Sequence, residues 1–363
     1  MAKRPIRKWI LWVAVLATGV AMWELLGCQG KKLAGPCEVE RPPIRDPVWK
    51  VDTLAVGTQV QVEGVWMASA TDAYAVGGLG DSSGHRGIIW RYDGSIWREV
   101  YSKIGVTFQD VHGVSPDNVW VVGKLDTLVL RPIGQIALHW DGHQWQQALL
   151  DSSGRGLLSV WAESDGTAYA GGYDGTILHW DGARWMPETN PLPSQGPIED
   201  IWRMPNENGS GSQDLYIATE GDGGAGKLLR KFEDRWVLEF ASHSPISDGF
   251  VGVWGGCRDN QYVLEALSYE PVPYGTVYRH ADTTWSYTAL RNQDGVFTAI
   301  RGDKWGTAYV ISWSGIYRLV NDSLVRYNEF PLSSRPTDAW ILNLTAMVAA
   351  TSGNAAVVIT GVF

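Results

Sequence analysis

One spacing recurs through this chain and leaves it few ways to fold. In the stretch from Val160 to Trp185, VWAESDGTAYAGGYDGTILHWDGARW, an apolar residue is followed nine positions later by an aromatic one, Tyr169. The pair returns as Val65 with Tyr74, Val111 with Trp120, Val253 with Tyr262 and Ile300 with Tyr309. Ile201 with Tyr216 needs six more residues, supplied by the Gly/Ser/Asn-rich MPNENGSGSQ, and Ala339 with Val348 is a degraded seventh copy. The repeat averages about 46 residues, the length of a four-stranded propeller blade. Each copy reads as four short strands, none able to bury a face alone, so the copies must stack on one another.

A second column fixes the register. The fourth strand opens with Trp at Trp97, Trp145, Trp185, Trp236 and Trp285, with Leu324 in the sixth copy. Ahead of it, Asp93-Gly94, Asp141-Gly142 and Asp181-Gly182 predict two-residue hairpins, because Asp-Gly accepts the positive φ that matches strand twist. Twenty Trp in 363 residues fit a fold in which large flat rings fill the wedges between blades.

The seventh copy ends at AAVVITGVF without a fourth strand, whereas Asp46-Pro47-Val48-Trp49-Lys50-Val51 has the character of a fourth strand with no preceding three. Pairing the two removes every open sheet edge. The expected fold is therefore all-β, a seven-bladed β-propeller over 46–363 in which an N-terminal strand completes the last blade.

Ahead of it, Lys3, Arg4, Arg7 and Lys8 precede the apolar run Trp9 to Trp23 and then Leu25-Leu26-Gly27-Cys28. A basic segment, an apolar stretch and a small residue form a secretory signal, although an uncleaved membrane anchor has similar composition. The tetrad resembles the lipobox of bacterial lipoproteins. That resemblance implies a signal peptide over 1–27, lipid attachment to Cys28 and, with Gln29 following, an outer-membrane address in the cell envelope. Residues 28–45 read as a Pro- and Gly-containing tether. Two cysteines remain, Cys37 and Cys257, which an oxidising compartment would allow to pair.

Without the signal the net charge is about −12 and no basic stripe remains, which argues against nucleic acid as a partner. The signatures of metal, redox, nucleotide and serine-hydrolase chemistry are missing, so no cofactor, metal or catalytic residue is assigned. His139 and His179 recur at one third-strand position and read as structural. His112 stands where most copies have an inner-strand Trp, as a hydrogen-bonded core histidine. Asp110, Asp200 and Asp338 each precede the inner-strand apolar residue, a place for hydrogen bonds that clasp neighbouring blades.

Loops joining inner to second and third to outer strands are short, and those on the opposite face are long: GLGDSSGHRG, KLDTLVLRPIGQ, EGDGGAGK, ALSYEPVPYG. Long loops on a rigid scaffold carry function. On that face His85, Arg86, Tyr173, Tyr269, Tyr274 and Trp313 are the candidate anchors, since aromatics and Arg dominate binding hot spots.

With Gly175-Thr176-Ile177 leading to Trp185, the repeat resembles bacterial propellers of the Asp-box-like (BNR-type) and photosystem-assembly-factor-like kind. The resemblance implies a lipid-anchored scaffold that binds a protein partner in the envelope. The alternative is an envelope enzyme or lectin-like module acting on glycans.

Overall fold

In the computed structural model, residues 47–362 are described except 58, 82–83, 126–133, 193–195, 206–213, 221–224, 243–248, 259–260, 270–273, 282, 292–295, 321–322, 327–333, 344 and 353. The predicted signal peptide and tether, with Cys28 and Cys37, lie outside the described residues. The first strand, β1 (Val48–Val56), stands apart in sequence from the blade it joins. Blade one follows as β2 (Gln59–Ser69), β3 (Asp72–Asp81), β4 (Gly84–Tyr92) and β5 (Trp97–Ile104), and blade two as β6 (Val106–Ser115), β7 (Asn118–Leu125), β8 (Gln135–Trp140) and β9 (Trp145–Asp151). Blade three is β10 (Leu157–Ala162), β11 (Ala168–Gly172), β12 (Ile177–Trp180) and β13 (Trp185–Glu188), and blade four β14 (Ile198–Arg203), β15 (Leu215–Glu220), β16 (Gly226–Phe232) and β17 (Arg235–Ala241). Blade five is β18 (Phe250–Arg258), β19 (Gln261–Tyr269), β20 (Tyr274–Ala281) and β21 (Thr284–Arg291), and blade six β22 (Phe297–Gly302), β23 (Ala308–Ser312), β24 (Gly315–Val320) and β25 (Ser323–Arg326). Blade seven contains β26 (Ser334–Leu342), β27 (Thr345–Ser352) and β28 (Ala355–Val362), and its fourth strand is β1.

The chain is thus an all-β, seven-bladed propeller whose inner strands touch in a closed ring, β26 against β2. Closure runs through β1 and β28, which pair antiparallel from Val48 with Val362 to Val56 with Ala355. Trp49 faces Gly361, where an added Cβ would meet the indole at 2.4 Å.

The two aromatic columns meet between blades. Along each second strand, alternate side chains face opposite neighbours: Ala73 and Ala75 pack toward blade seven, Tyr74 and Val76 toward blade two. Trp145, opening the outer strand of blade two, meets Tyr74 of blade one edge-to-face at 6.1 Å. Trp185 meets Trp120 at 5.1 Å and Trp236 meets Tyr169 at 6.0 Å in the same manner one and two blades on. Burying rings of this size contributes several kilocalories per interface.

Two sequence expectations are corrected. The Asp-Gly turns are four-residue loops, closed by Tyr92 with Trp97, Trp140 with Trp145 and Trp180 with Trp185. Only their glycines take positive φ, at 90°, 88° and 96°. Each Asp instead accepts the N–H groups two and three residues on, as Asp141 does from His143 and Gln144 at 2.8 Å, which holds it in a right-handed turn. The two-residue turn with both φ positive falls at Glu233-Asp234. The second correction concerns the long loops. Several are strand: β3 and β4 stay paired out to Asp81 with Gly84, and β19 and β20 out to Tyr269 with Gly275.

Candidate functional site

Every inner strand carries an irregularity at the same place. The register against the second strand shifts between Val62 and Gly64, Phe108 and Asp110, Leu157 and Ser159, Ile198 and Asp200, Phe250 and Gly252, Phe297 and Ala299, and Pro336 and Asp338. One residue per blade is therefore left unpaired in a β-bulge, a device that re-aims side chains. The bulge residues are Glu63, Gln109, Leu158, Glu199, Val251, Thr298 and Thr337. All seven line a single cavity of about 300 Å³ in the channel, together with Asp110, Asp200, Asp338, Phe297, Ala299 and Arg301. Glycines opposite the bulge allow it: a Cβ on Gly77 or Gly123 would fall 2.1 or 2.2 Å from the carbonyl oxygen of Gln61 or Thr107.

The bulges fall near the start of each inner strand, so the cavity lies toward the face where second-to-third and blade-to-blade connections lie. Three positions beyond the bulge, toward the other end of the inner strands, the column reads Trp66, His112, Trp161, Trp202, Trp254, Arg301 and Trp340. His112 stacks on Trp161 at 4.0 Å and touches Trp340 at 5.2 Å, and Trp202 bridges Trp161 and Trp340 at 5.2 and 6.1 Å. His112 Nδ1 accepts the Ala162 N–H at 2.9 Å, and burial with the nearby Arg301 charge pushes its pKa down to about 3. It is a neutral part of an aromatic floor, with the proton on Nε2.

Above the floor the three aspartates clasp blades, as the sequence indicated. Asp110 accepts the Val160 N–H at 2.8 Å, Asp200 that of Val253 at 2.9 Å and Asp338 that of Val65 at 3.2 Å, each on the next blade. Arg301 was not singled out from the sequence. Its guanidinium donates to Asp200 at 2.6 Å and to Asp338 at 3.3 Å, with about a tenth of each side chain exposed. Burial nevertheless leaves Asp110, Asp200 and Asp338 above the usual carboxylate range, Asp110 further raised by the neighbouring Asp338 charge. In the bulge ring, Glu199 is pushed up to about 7, first by burial and then by the charges of Glu220 and Asp200. Glu63 is raised by burial, against the opposing pull of Lys124.

The sequence-derived candidates divide. Tyr173 joins the site: its hydroxyl donates to Gln109 Oε1 at 2.8 Å, with Lys124 Nζ 5.7 Å from its ring centroid. Trp313 lies in the β23–β24 turn, 43% exposed, under the Arg335 guanidinium at 5.4 Å. His85 and Arg86 sit on the third strand of blade one, outside the channel wall, where Arg86 pairs with Glu99 at 2.6 Å. Tyr269 and Tyr274 flank the β19–β20 turn on the same face, and their side chains lie outside the described residues. Cys257, at the other end of an inner strand, is disulfide-bonded. His139 and His179 stack on Trp120 and Tyr169 at 4.3 and 4.6 Å, consistent with a repeated structural role.

No protein-family model matches the chain, and no curated protein matches it either. Solved structures do. YCF48 bound to D1 peptide superposes with a TM-score of 0.62 at 12% identity, over 91% of this chain and 99% of that one. The WD40 β-propeller domain of Doa1 gives 0.57 at 14% identity over 86% and 96%, and U3-55K 0.59 at 9% over 85% and 98%. At these identities the likeness is one of fold.

Proposed function

We propose that this propeller is a lipid-anchored scaffold of the bacterial cell envelope that binds a protein partner on the face carrying the channel mouth. One observation carries the reading: the cavity is lined by residues near the start of each inner strand, on the side of the blade-to-blade connections, and Tyr173, from a second-to-third turn on that side, bonds to its wall. A rigid ring with a partly aromatic face of loops and turns suits recognition. Among the solved structures of the same fold, YCF48 is bound to a peptide.

The anchor fits the same geometry. Val48 starts β1 beside Val362, at the short-turn face, and Cys257 stands near that end of β18. With Cys28 lipidated and Cys37 bonded to Cys257, the tether would run along the short-turn face and point the channel mouth away from an outer membrane.

The test is capture from envelope extract, with partners identified by mass spectrometry. Trp313→Asp on the mouth face is expected to reduce the captured partner at least fivefold, and Val114→Asp, at the exposed far end of β6 on the opposite face, to leave it unchanged. The reverse pattern would reject the face, and Cys28→Ser protein that stays with the membrane would reject the anchor.

A further inference from the structure

We propose that the channel mouth receives one basic side chain, arginine or lysine, from the partner, with Glu63 and Glu199 as its counter-ions. The inference rests on the reading that this face meets a protein, and concerns what the cavity takes from it.

The wall holds five carboxyl groups, Glu63, Asp110, Glu199, Asp200 and Asp338, against one guanidinium. Their roles differ. The aspartates are occupied by backbone N–H groups of the next blade, and Arg301 is clamped between two of them. Glu63 and Glu199 are aimed into the cavity by their bulges, and neither has a hydrogen-bond partner among the described residues. A third group shares this condition: the Gln109 amide nitrogen is buried without a partner, while Tyr173 holds the other end of that amide in place. A buried donor without a partner costs stability, and this one stands beside two half-buried carboxylates that also lack one, so the wall is built for a group that is elsewhere in the free chain.

The chemistry of that group follows from the wall. An anion would face a preponderance of carboxylates, and the single guanidinium already has both of its partners. A divalent metal needs several ligands at one point, and among the described residues no three His, Cys, Asp or Glu side chains come together in that way. An organic cation fits, and Leu158, Val251 and Phe297 supply apolar wall for a methylene stem. Basic side chains combine such a stem with a charged head. The volume of about 300 Å³ is at the small end of ligand cavities, the size for one side chain and not for a folded element. The Gln109 amide is placed to donate to a carbonyl carried in with it.

The experiment uses the full chain and three small probes: acetyl-arginine amide, acetyl-lysine amide and acetyl-citrulline amide, the last uncharged and close in shape to arginine. Binding is followed by calorimetry and by the fluorescence of the floor tryptophans. Saturable binding of the arginine or lysine probe is expected, with citrulline at least tenfold weaker. The Glu63→Gln/Glu199→Gln variant, folded by circular dichroism, is expected to lose at least tenfold in affinity for the charged probe. No saturable signal from either cation up to about 50 mM, citrulline binding as well as arginine, or an unchanged affinity in the variant would each overturn the proposal. A partner captured equally by wild type and by the double variant would leave the face reading standing and remove this one. A bound arginine probe without any captured partner would do the opposite.

Discussion

Replacing Arg301 by Met should destabilise the propeller by an amount that depends strongly on pH. The side chain removed makes a 2.6 Å bond to Asp200 and a 3.3 Å bond to Asp338 in surroundings where each group is about a tenth exposed. A pair at that separation is worth about 4 kcal/mol at an effective dielectric near 20, and stripping one partner from a buried pair costs about 3–5 kcal/mol. The orphaned carboxylates have an escape, which is to take up protons. Protonating one aspartate at pH 8 costs about 5–6 kcal/mol relative to its unfolded pKa near 3.9, but at pH 5 only about 1.5 kcal/mol. The loss at pH 8 should therefore be about 4–6 kcal/mol, falling below about 3 kcal/mol at pH 5. The sign follows from proton uptake: the variant's folded state binds protons that its unfolded state has released, so it gains on wild type as pH falls. Urea unfolding followed by tryptophan fluorescence at the two pH values measures both losses. Adding Asp200→Asn and Asp338→Asn to Arg301→Met should recover most of the stability at pH 8. Equal losses at pH 8 and pH 5, or a triple variant no better than the single one, would refute the account of Arg301 as a counter-charge.

Three further outcomes are expected. Glu199 has a folded pKa of about 7 against 4.5, so wild type should lose up to about 3 kcal/mol as pH rises through that window. Glu199→Gln should flatten the slope, and an unchanged pH profile would contradict it. Gly361→Val drives a Cβ into the Trp49 ring and should cost about 1–3 kcal/mol, a loss that Trp49→Ala would largely mask; additive effects would show that the closing strand is not seated as described. Trp145→Ala removes the edge-to-face contact with Tyr74 and should cost about 3–5 kcal/mol in thermal or urea unfolding, whereas an effect under about 1 kcal/mol would mean that the Trp column does not hold neighbouring blades together.

The parts of this molecule that were readable in its sequence are those where one side-chain type must recur. Tyr74 with Trp145, Trp120 with Trp185 and Tyr169 with Trp236 fill equivalent wedges between successive blades, so their spacing exposes the ring. Val48 to Val51 betrays the closing strand because an unpaired edge needs a partner. Asp110, Asp200 and Asp338 stood out because a hydrogen bond to the next blade demands an acceptor at one register position. The candidate site was less legible for an opposite physical reason. A bulge is a property of how two strands pair, with no residue type of its own, so Glu63, Gln109, Leu158, Glu199, Val251, Thr298 and Thr337 form a column with no common chemistry. Arg301 had a usable signal: it replaces Trp in the column that runs through Trp66, Trp161, Trp202, Trp254 and Trp340, as His112 does. The hairpin turns misled because Asp was credited with backbone freedom when its carboxylate was the operative group.

The pairing of β1 with β28 also constrains the order of assembly. Six blades are contiguous in sequence and can form as the chain emerges, but the seventh joins residues about 300 positions apart and must wait for the last of them. Until then the nascent ring is an open crescent with both ends sticky, and zipping it shut is the step with the largest loop entropy to overcome. A lesion in the last strand therefore reaches beyond its own sheet, releasing the first strand and leaving blades six and one without the wall that each leans on.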